Sequence, residues 1–206
     1  MTIQQLKKYL PFVLAFFHLI GLGIFIYNHK APDLSYVTIT LSALVVLLME
    51  KKHQLTYLVF AVIFAGGYLV ELIGVQTGYL FGEYSYLPSM GPTIMDTPIF
   101  IGACWYGVVV GAANIARYVK GSPLMRSLLA AILAVAMDIV LERTAIAYGL
   151  WSWINDSVPF YNYFCWFLFS FLFAWLYLRK TEEKNKLSVW LYIIWFLFFS
   201  ILSIFR

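Results

Sequence analysis

Three acids interrupt otherwise apolar stretches of this chain: Glu71, Asp138 and Glu142. An ionisable side chain inside a long apolar run is costly to bury, so each marks an expected functional position. Asp138 and Glu142 are spaced i, i+4, which sets them on one helix face, one turn apart. Two carboxyl groups held that close in a medium of low dielectric tend to share a proton, leaving one a neutral acid and the other a base. That is a pair suited to giving a proton to a substrate and taking one back. The structural alternatives are that Glu142, near the end of its run, pairs with Arg143 and that Asp138 packs against a polar partner.

Two segments rich in aromatic and turn-forming residues flank these acids. One runs from Gln76 to Pro98 and carries Tyr84 and Tyr86 among Gly78, Gly82, Pro88 and Gly91; the other runs from Tyr148 to Pro159 and carries Trp151 and Trp153. An interfacial belt of aromatics explains rings at such positions. It does not explain Glu83, Asp96, Asn155 and Asp156 among them, and function is expected on this side. Other chemistries lack their residues. His18, His29 and His53 are scattered, without an HExxH or a paired Cys/His spacing, so no protein-held metal is expected. No glycine-rich phosphate loop occurs. The aspartate-rich repeats of membrane prenyltransferases are missing, and the last apolar run has no Lys for a retinal Schiff base. Cys104 and Cys165 lie within apolar runs, where a thiol behaves as a small hydrophobe.

The elements that must position these groups follow from composition. Of 206 residues 63% are apolar or aromatic and only 12% charged, against roughly 25% charged in soluble domains. The sequence predicts one domain over residues 1–206, all-α, a polytopic transmembrane bundle of seven helices over 9–27, 34–49, 55–75, 98–116, 127–147, 159–178 and 187–205. The second is short for a span. The first is expected to be a retained helix rather than a signal peptide, being too long and lacking a small-x-small cleavage site. Eleven of the 14 Lys and Arg residues, including Lys7, Lys8, Lys51, Lys52, Arg117, Lys120, Arg126, Arg179, Lys180, Lys184 and Lys186, fall on one side of this arrangement. Lys30, Arg143 and Arg206 fall on the other, which predicts a cytoplasmic amino terminus and an outer carboxyl terminus (N-in/C-out). The net charge of +4 is therefore an orientation signal and carries no implication of nucleic-acid binding. At 1.5 Å per residue, Glu71 lies roughly 24 Å, Asp138 roughly 16 Å and Glu142 roughly 22 Å along helices that run outward in parallel.

The run Glu71-x-x-Gly74-x-x-Thr77-Gly78-x-x-Phe81-Gly82-x-Tyr84-x-Tyr86 resembles the membrane carotenoid biosynthesis proteins of the carotenoid 1,2-hydratase type. Pro98 with Trp105, Asp138-x-x-x-Glu142, Trp151-x-Trp153, and Tyr161-Asn162 followed by Trp166 resemble later blocks of that family, in order. The resemblance implies addition of water across the terminal double bond of an acyclic carotenoid end group, giving a tertiary alcohol, with no cofactor. It implies catalytic roles for Glu71, Asp138 and Glu142 and substrate contacts at Tyr84, Tyr86, Trp105, Trp151, Trp153 and Asn162. The implied partners are a carotenoid or related polyene lipid, membrane lipid and other carotenoid biosynthesis enzymes. A rigid polyene would lie among the helices with one end at the outer interface. The expected location is the cytoplasmic (inner) membrane of a bacterium. A carotenoid end-group cyclase or isomerase, or a carrier with an intramembrane acid relay, remains the alternative.

Overall fold

The computed structural model describes residues 3–50, 53–154, 157–182 and 184–205. Lys51, Lys52 and Arg206 of the charge pattern, with Asn155 and Asp156 of the second aromatic segment, lie outside the described residues, as does the side chain of Lys7. Among the described residues there are seven α-helices: α1 (Ile3–Asn28), α2 (Ser35–Leu48), α3 (Gln54–Thr77), α4 (Ile101–Ala116), α5 (Pro123–Tyr148), α6 (Phe160–Lys180) and α7 (Lys186–Leu202). Four are long and apolar enough to cross a membrane, over Lys8–Asn28, Gln54–Thr77, Pro123–Tyr148 and Phe160–Lys180, whereas α2, α4 and α7 are shorter apolar helices.

The helix ends follow local chemistry. Ser122 accepts a hydrogen bond from Met125 N and precedes Pro123 at the first position of α5, while Gly78 and Gly149 close α3 and α5 in the left-handed conformation (φ 67° and 70°). Asn185 caps α7, accepting from the backbone N–H groups of Leu187 and Ser188.

α4 is the axis of the bundle and meets α2, α3, α5, α6 and α7. Every one of its residues except Ile115 is buried. Its small residues permit that enclosure: a Cβ at Gly107 would lie 2.6 Å from the Trp195 ring, and one at Gly111 2.7 Å from Tyr192 Cβ. α1 sits on the rim, packed chiefly on α7.

The predicted fourth helix begins too early. Pro98 belongs to a strand, because the segment before α4 folds back as a hairpin in which β2 (Thr93–Ile94) pairs with β3 (Thr97–Pro98). Its two-residue turn, Met95-Asp96, takes positive φ at both positions (51° and 57°), the geometry that matches strand twist. The all-α framework thus carries two antiparallel ribbons where irregular loops were expected. The second ribbon pairs β1 (Tyr84–Tyr86) with β4 (Trp151–Trp153), in the register Tyr84↔Trp153 and Tyr86↔Trp151. The connections after α1, α3 and α5 meet at this end, through Ala31 N donating to Tyr148 O at 2.7 Å and Leu87 N to Leu150 O at 2.9 Å. Those after α2, α4 and α6 meet at the other, where Arg117 donates to Thr181 O and Glu182 O, both at 2.6 Å, and Asn185 Nδ2 donates to Val46 O at 3.0 Å.

Candidate functional site

Side chains two apart on a strand share a face. The β1–β4 ribbon therefore turns Tyr84, Tyr86, Trp151 and Trp153 toward the helices and leaves Ser85 and Ser152 exposed. Beneath the ribbon lie the carboxyl groups of α3 and α5. Glu71 Oε2 accepts from Tyr84 Oη at 2.5 Å and Tyr86 Oη at 2.8 Å, and its Oε1 accepts from Trp105 Nε1 at 2.9 Å. Glu142 Oε2 accepts from Trp151 Nε1 at 2.9 Å and Trp153 Nε1 at 2.8 Å. Asp138 Oδ2 accepts from Asn162 Nδ2 at 2.9 Å. All three acids are at most 4% exposed.

Backbone geometry explains the sequence block that leads into β1. After Gly78 ends α3, Phe81 takes a positive φ of 68° and is 1% exposed, and Gly82 follows at φ 124°. A Cβ on Gly82 would meet Pro159 Cγ at 2.7 Å, so this turn tolerates only glycine. Gly74 leaves room for the ribbon, since a Cβ there would lie 2.8 Å from Phe81 Cδ2 and 3.1 Å from Tyr84 Oη. Trp105 reaches Glu71 past Gly67, and its ring stacks on Trp166 with centroids 4.0 Å apart.

The acids line one small cavity, about 20 Å³ open to the centre of a water molecule, with Tyr84, Trp153, Trp166 and Phe81 in its wall. That is space for about one water. Burial, and then the neighbouring Glu71 carboxyl, pushes the Tyr84 and Tyr86 hydroxyls well above the ordinary tyrosine range, which keeps both as donors. Beyond the ribbon, a wider open depression of about 460 Å³ among Thr77, Glu83, Ser157 and Tyr161 shares Trp153 with the acid cavity.

All nine residues singled out in the sequence converge here. The four ribbon aromatics turn their polar edges to carboxyl oxygens as donors, a role that neither the interfacial belt nor the implied substrate contacts had included. Glu142 has indole partners, which replaces the suggested pairing with Arg143. Glu83 and Asp96 stand outside the cavity lining. Phe81 and Trp166 were named in the sequence only as members of the family-like blocks and Cys104 only as a small apolar thiol, while Leu141 was not singled out; all four are cavity walls. Sequence reasoning missed a buried polar network at the opposite end, where Tyr177 Oη donates to Glu50 Oε1 at 2.7 Å and Asn185 Nδ2 donates to the same oxygen at 2.9 Å. Among the described residues no three His, Cys, Asp or Glu side chains are grouped to hold a metal ion.

Residues 34–206 match the family described as "Carotenoid biosynthesis protein". The chain is 30% identical over 109 residues to the bisanhydrobacterioruberin hydratase of Haloarcula japonica, a stretch that covers 49% of this chain and 37% of that relative. No solved structure matches the chain. The family match takes in α2 to α7, both ribbons and the three acids of the cavity, and on that match the chain belongs to the carotenoid biosynthesis protein family.

Proposed function

We propose that this chain is a multi-pass membrane enzyme that adds water to the terminal double bond of an acyclic carotenoid end group. All seven helices cross the bilayer, with the amino terminus in the cytoplasm and the ribbon end outside. Lys120, Arg126, Arg179, Lys180 and Lys184 gather at the end opposite the ribbons, in agreement with that orientation. α4 needs no full bilayer length because other helices surround it.

The observation that carries the reading is the unequal hydrogen bonding of three carboxyl groups round one water-sized cavity. Burying an ionised carboxyl costs several kcal/mol, and each charge-assisted hydrogen bond returns about 1.5–3 kcal/mol. Three donors offset that cost at Glu71 and two go far toward it at Glu142, whereas Asp138 has one. Asp138 is therefore the group that holds the proton. It protonates the terminal alkene, forming a C–H bond and leaving a tertiary carbocation. Glu142, one helical turn away, takes a proton from the cavity water as the water oxygen bonds to that carbon. The proton returns to Asp138 and the net change is one added water. Glu71, locked by three donors, supplies fixed negative charge near the cation. The rings of Phe81, Tyr84, Trp153 and Trp166 add cation–π attraction of about 0.5–2 kcal/mol each where a face is presented.

Expression in a lycopene-accumulating bacterium tests this. The product should be heavier by one water and should carry label from oxygen-18 water. Since one general acid contributes about 10²–10⁴-fold, Asp138→Asn should abolish detectable product and Trp153→Leu should only reduce it. Label taken from molecular oxygen, or full activity of Asp138→Asn, would overturn the reading.

A further inference from the structure

A second and larger cavity lies away from the acids, at the rim of the bundle. It measures about 340 Å³ and opens between α1, α2 and α7; its wall includes Gly21 of α1, Thr38 and Ile39 of α2, Leu150, and Trp195 and Phe199 of α7. The wall is almost wholly apolar. Its buried polar pair is internally satisfied: His18 Nδ1 donates to Leu14 O at 2.7 Å and His18 Nε2 accepts from Trp195 Nε1 at 2.9 Å, which describes a neutral imidazole that fixes the Trp195 ring.

A small space of about 20 Å³ lies between this groove and the acid cavity. It shares Ile39, Leu150, Trp195 and Phe199 with the groove, and Cys104, Leu141 and Trp151 with the acid cavity. The outer lip is formed by α1, whose Phe17 and Ile20 are exposed at mid-helix. We propose that the groove between α1, α2 and α7 is the seat of the polyene chain of the substrate, admitted sideways from the lipid, with its end group passing Trp195 and Leu150 to reach Asp138. This inference rests on the hydration reading for the identity of the occupant. Three neighbouring cavities divided only by shared side chains, and an opening on helix faces at bilayer depth, select a long apolar chain that ends at the acids.

The test measures pigment retained by the purified protein. Asp138→Asn, which binds but does not convert, should carry lycopene through detergent purification from a lycopene-accumulating bacterium. A Cβ at Gly21 would lie 3.7 Å from Phe198 Cε2, an ordinary contact, so Gly21→Trp starts a bulky side chain in the groove wall without a clash at its first atom. Added to Asp138→Asn, Gly21→Trp or Thr38→Trp should lower retained lycopene at least tenfold, while Ile132→Trp, on an exposed face of α5, should not. A photo-reactive side chain at Thr38 should crosslink to lycopene in membranes, without any need for the tryptophan variants to survive purification. Undiminished pigment in both groove variants, or a groove that yields only membrane lipid on crosslinking, overturns the proposal. Lycopene held in the groove by a wild-type protein that adds no water would sink the hydration reading and leave the groove standing.

Discussion

Tyr84→Phe isolates one hydrogen bond from everything else the ribbon does. The ring keeps its place, 5.1 Å from Trp153 and 6.4 Å from Phe81 between centroids, and Glu71 loses one of its three donors. With the acceptor 4% exposed, water does not easily replace the lost hydroxyl. A hydrogen bond to a charged group is worth about 1.5–3 kcal/mol. At roughly 2–4 °C per kcal/mol for a chain of this size, thermal unfolding in detergent should come about 3–12 °C earlier. Against a neutral acceptor the same bond is worth only about 0.5–1.5 kcal/mol, so Tyr84→Phe made on top of Glu71→Gln should cost visibly less. The two substitutions should therefore couple by roughly 1 kcal/mol or more, above the ~0.3–0.5 kcal/mol seen for independent sites. Ser85→Ala, on the exposed face of the same strand, serves as the control and should change stability by about 0.5 kcal/mol or less. Equal losses from Tyr84→Phe in the wild-type and Glu71→Gln backgrounds would refute the idea that the ribbon exists to supply donors to a charged Glu71.

Gly74→Ala should destabilise the protein by about 1–3 kcal/mol and lower activity, because its methyl group would crowd Phe81 and Tyr84; an active, equally stable variant would show that Tyr84 has room to shift. Alkaline titration should leave two tyrosines neutral well beyond the usual range. Tyr84 and Tyr86 are raised in the folded state, so their contribution to stability is complete below about pH 10 and is lost as pH climbs through their folded values, which tyrosinate absorbance against unfolding would reveal. For topology, a cysteine at Tyr79, 86% exposed at the ribbon end, should react with an impermeant thiol reagent from outside intact cells, and one at Lys184 should not. The buried native thiols of Cys104 and Cys165 give little background, and the reverse labelling pattern would turn the acids toward the cytoplasm.

How far the sequence revealed this arrangement depended on the range of the signal. Glu71, Asp138 and Glu142 stood out because a carboxyl in an apolar run contradicts its neighbours, and the i, i+4 spacing fixed the relation between the last two without any tertiary information. Tyr84-x-Tyr86 and Trp151-x-Trp153 carried a period of two. With three residues each, the strands were too short to be told from interfacial aromatics, and their pairing joins segments on either side of α4 and α5. Hence the indole N–H and phenol O–H groups were counted as rings. The helix that begins at Ile101 starts three residues later than the apolar run suggested, because the Met95-Asp96 turn folds Pro98 back onto Thr93. Asn114, Tyr177, Asn185 and Glu50 come from four separate segments, and nothing local marks them as a network.

The same division of ranges accounts for the chemistry proposed here. Helices set the depth of the acids, since depth follows from a fixed rise per residue. A ribbon sets most of the hydrogen bonding of Glu71 and Glu142, because a period of two delivers two donors from one short strand to a single carboxyl group, whereas Asp138 takes its one donor, Asn162, from α6. Separate structures allow separate adjustment. Substitution in β1 or β4 alters how many donors Glu71 or Glu142 keeps, on helices that the ribbon does not build. Substitution along α1, α2 or α7 alters the apolar groove and leaves the donor pattern intact. Trp153 and Trp151 mark the two borders: the first is shared by the acid cavity and the open polar depression, the second by the acid cavity and the space between it and the groove. Both indoles donate to Glu142. In the proposed reaction Glu142 is the base that meets water from one side and the cation from the other, so its two hydrogen bonds hold it at the boundary where those reactants have to meet.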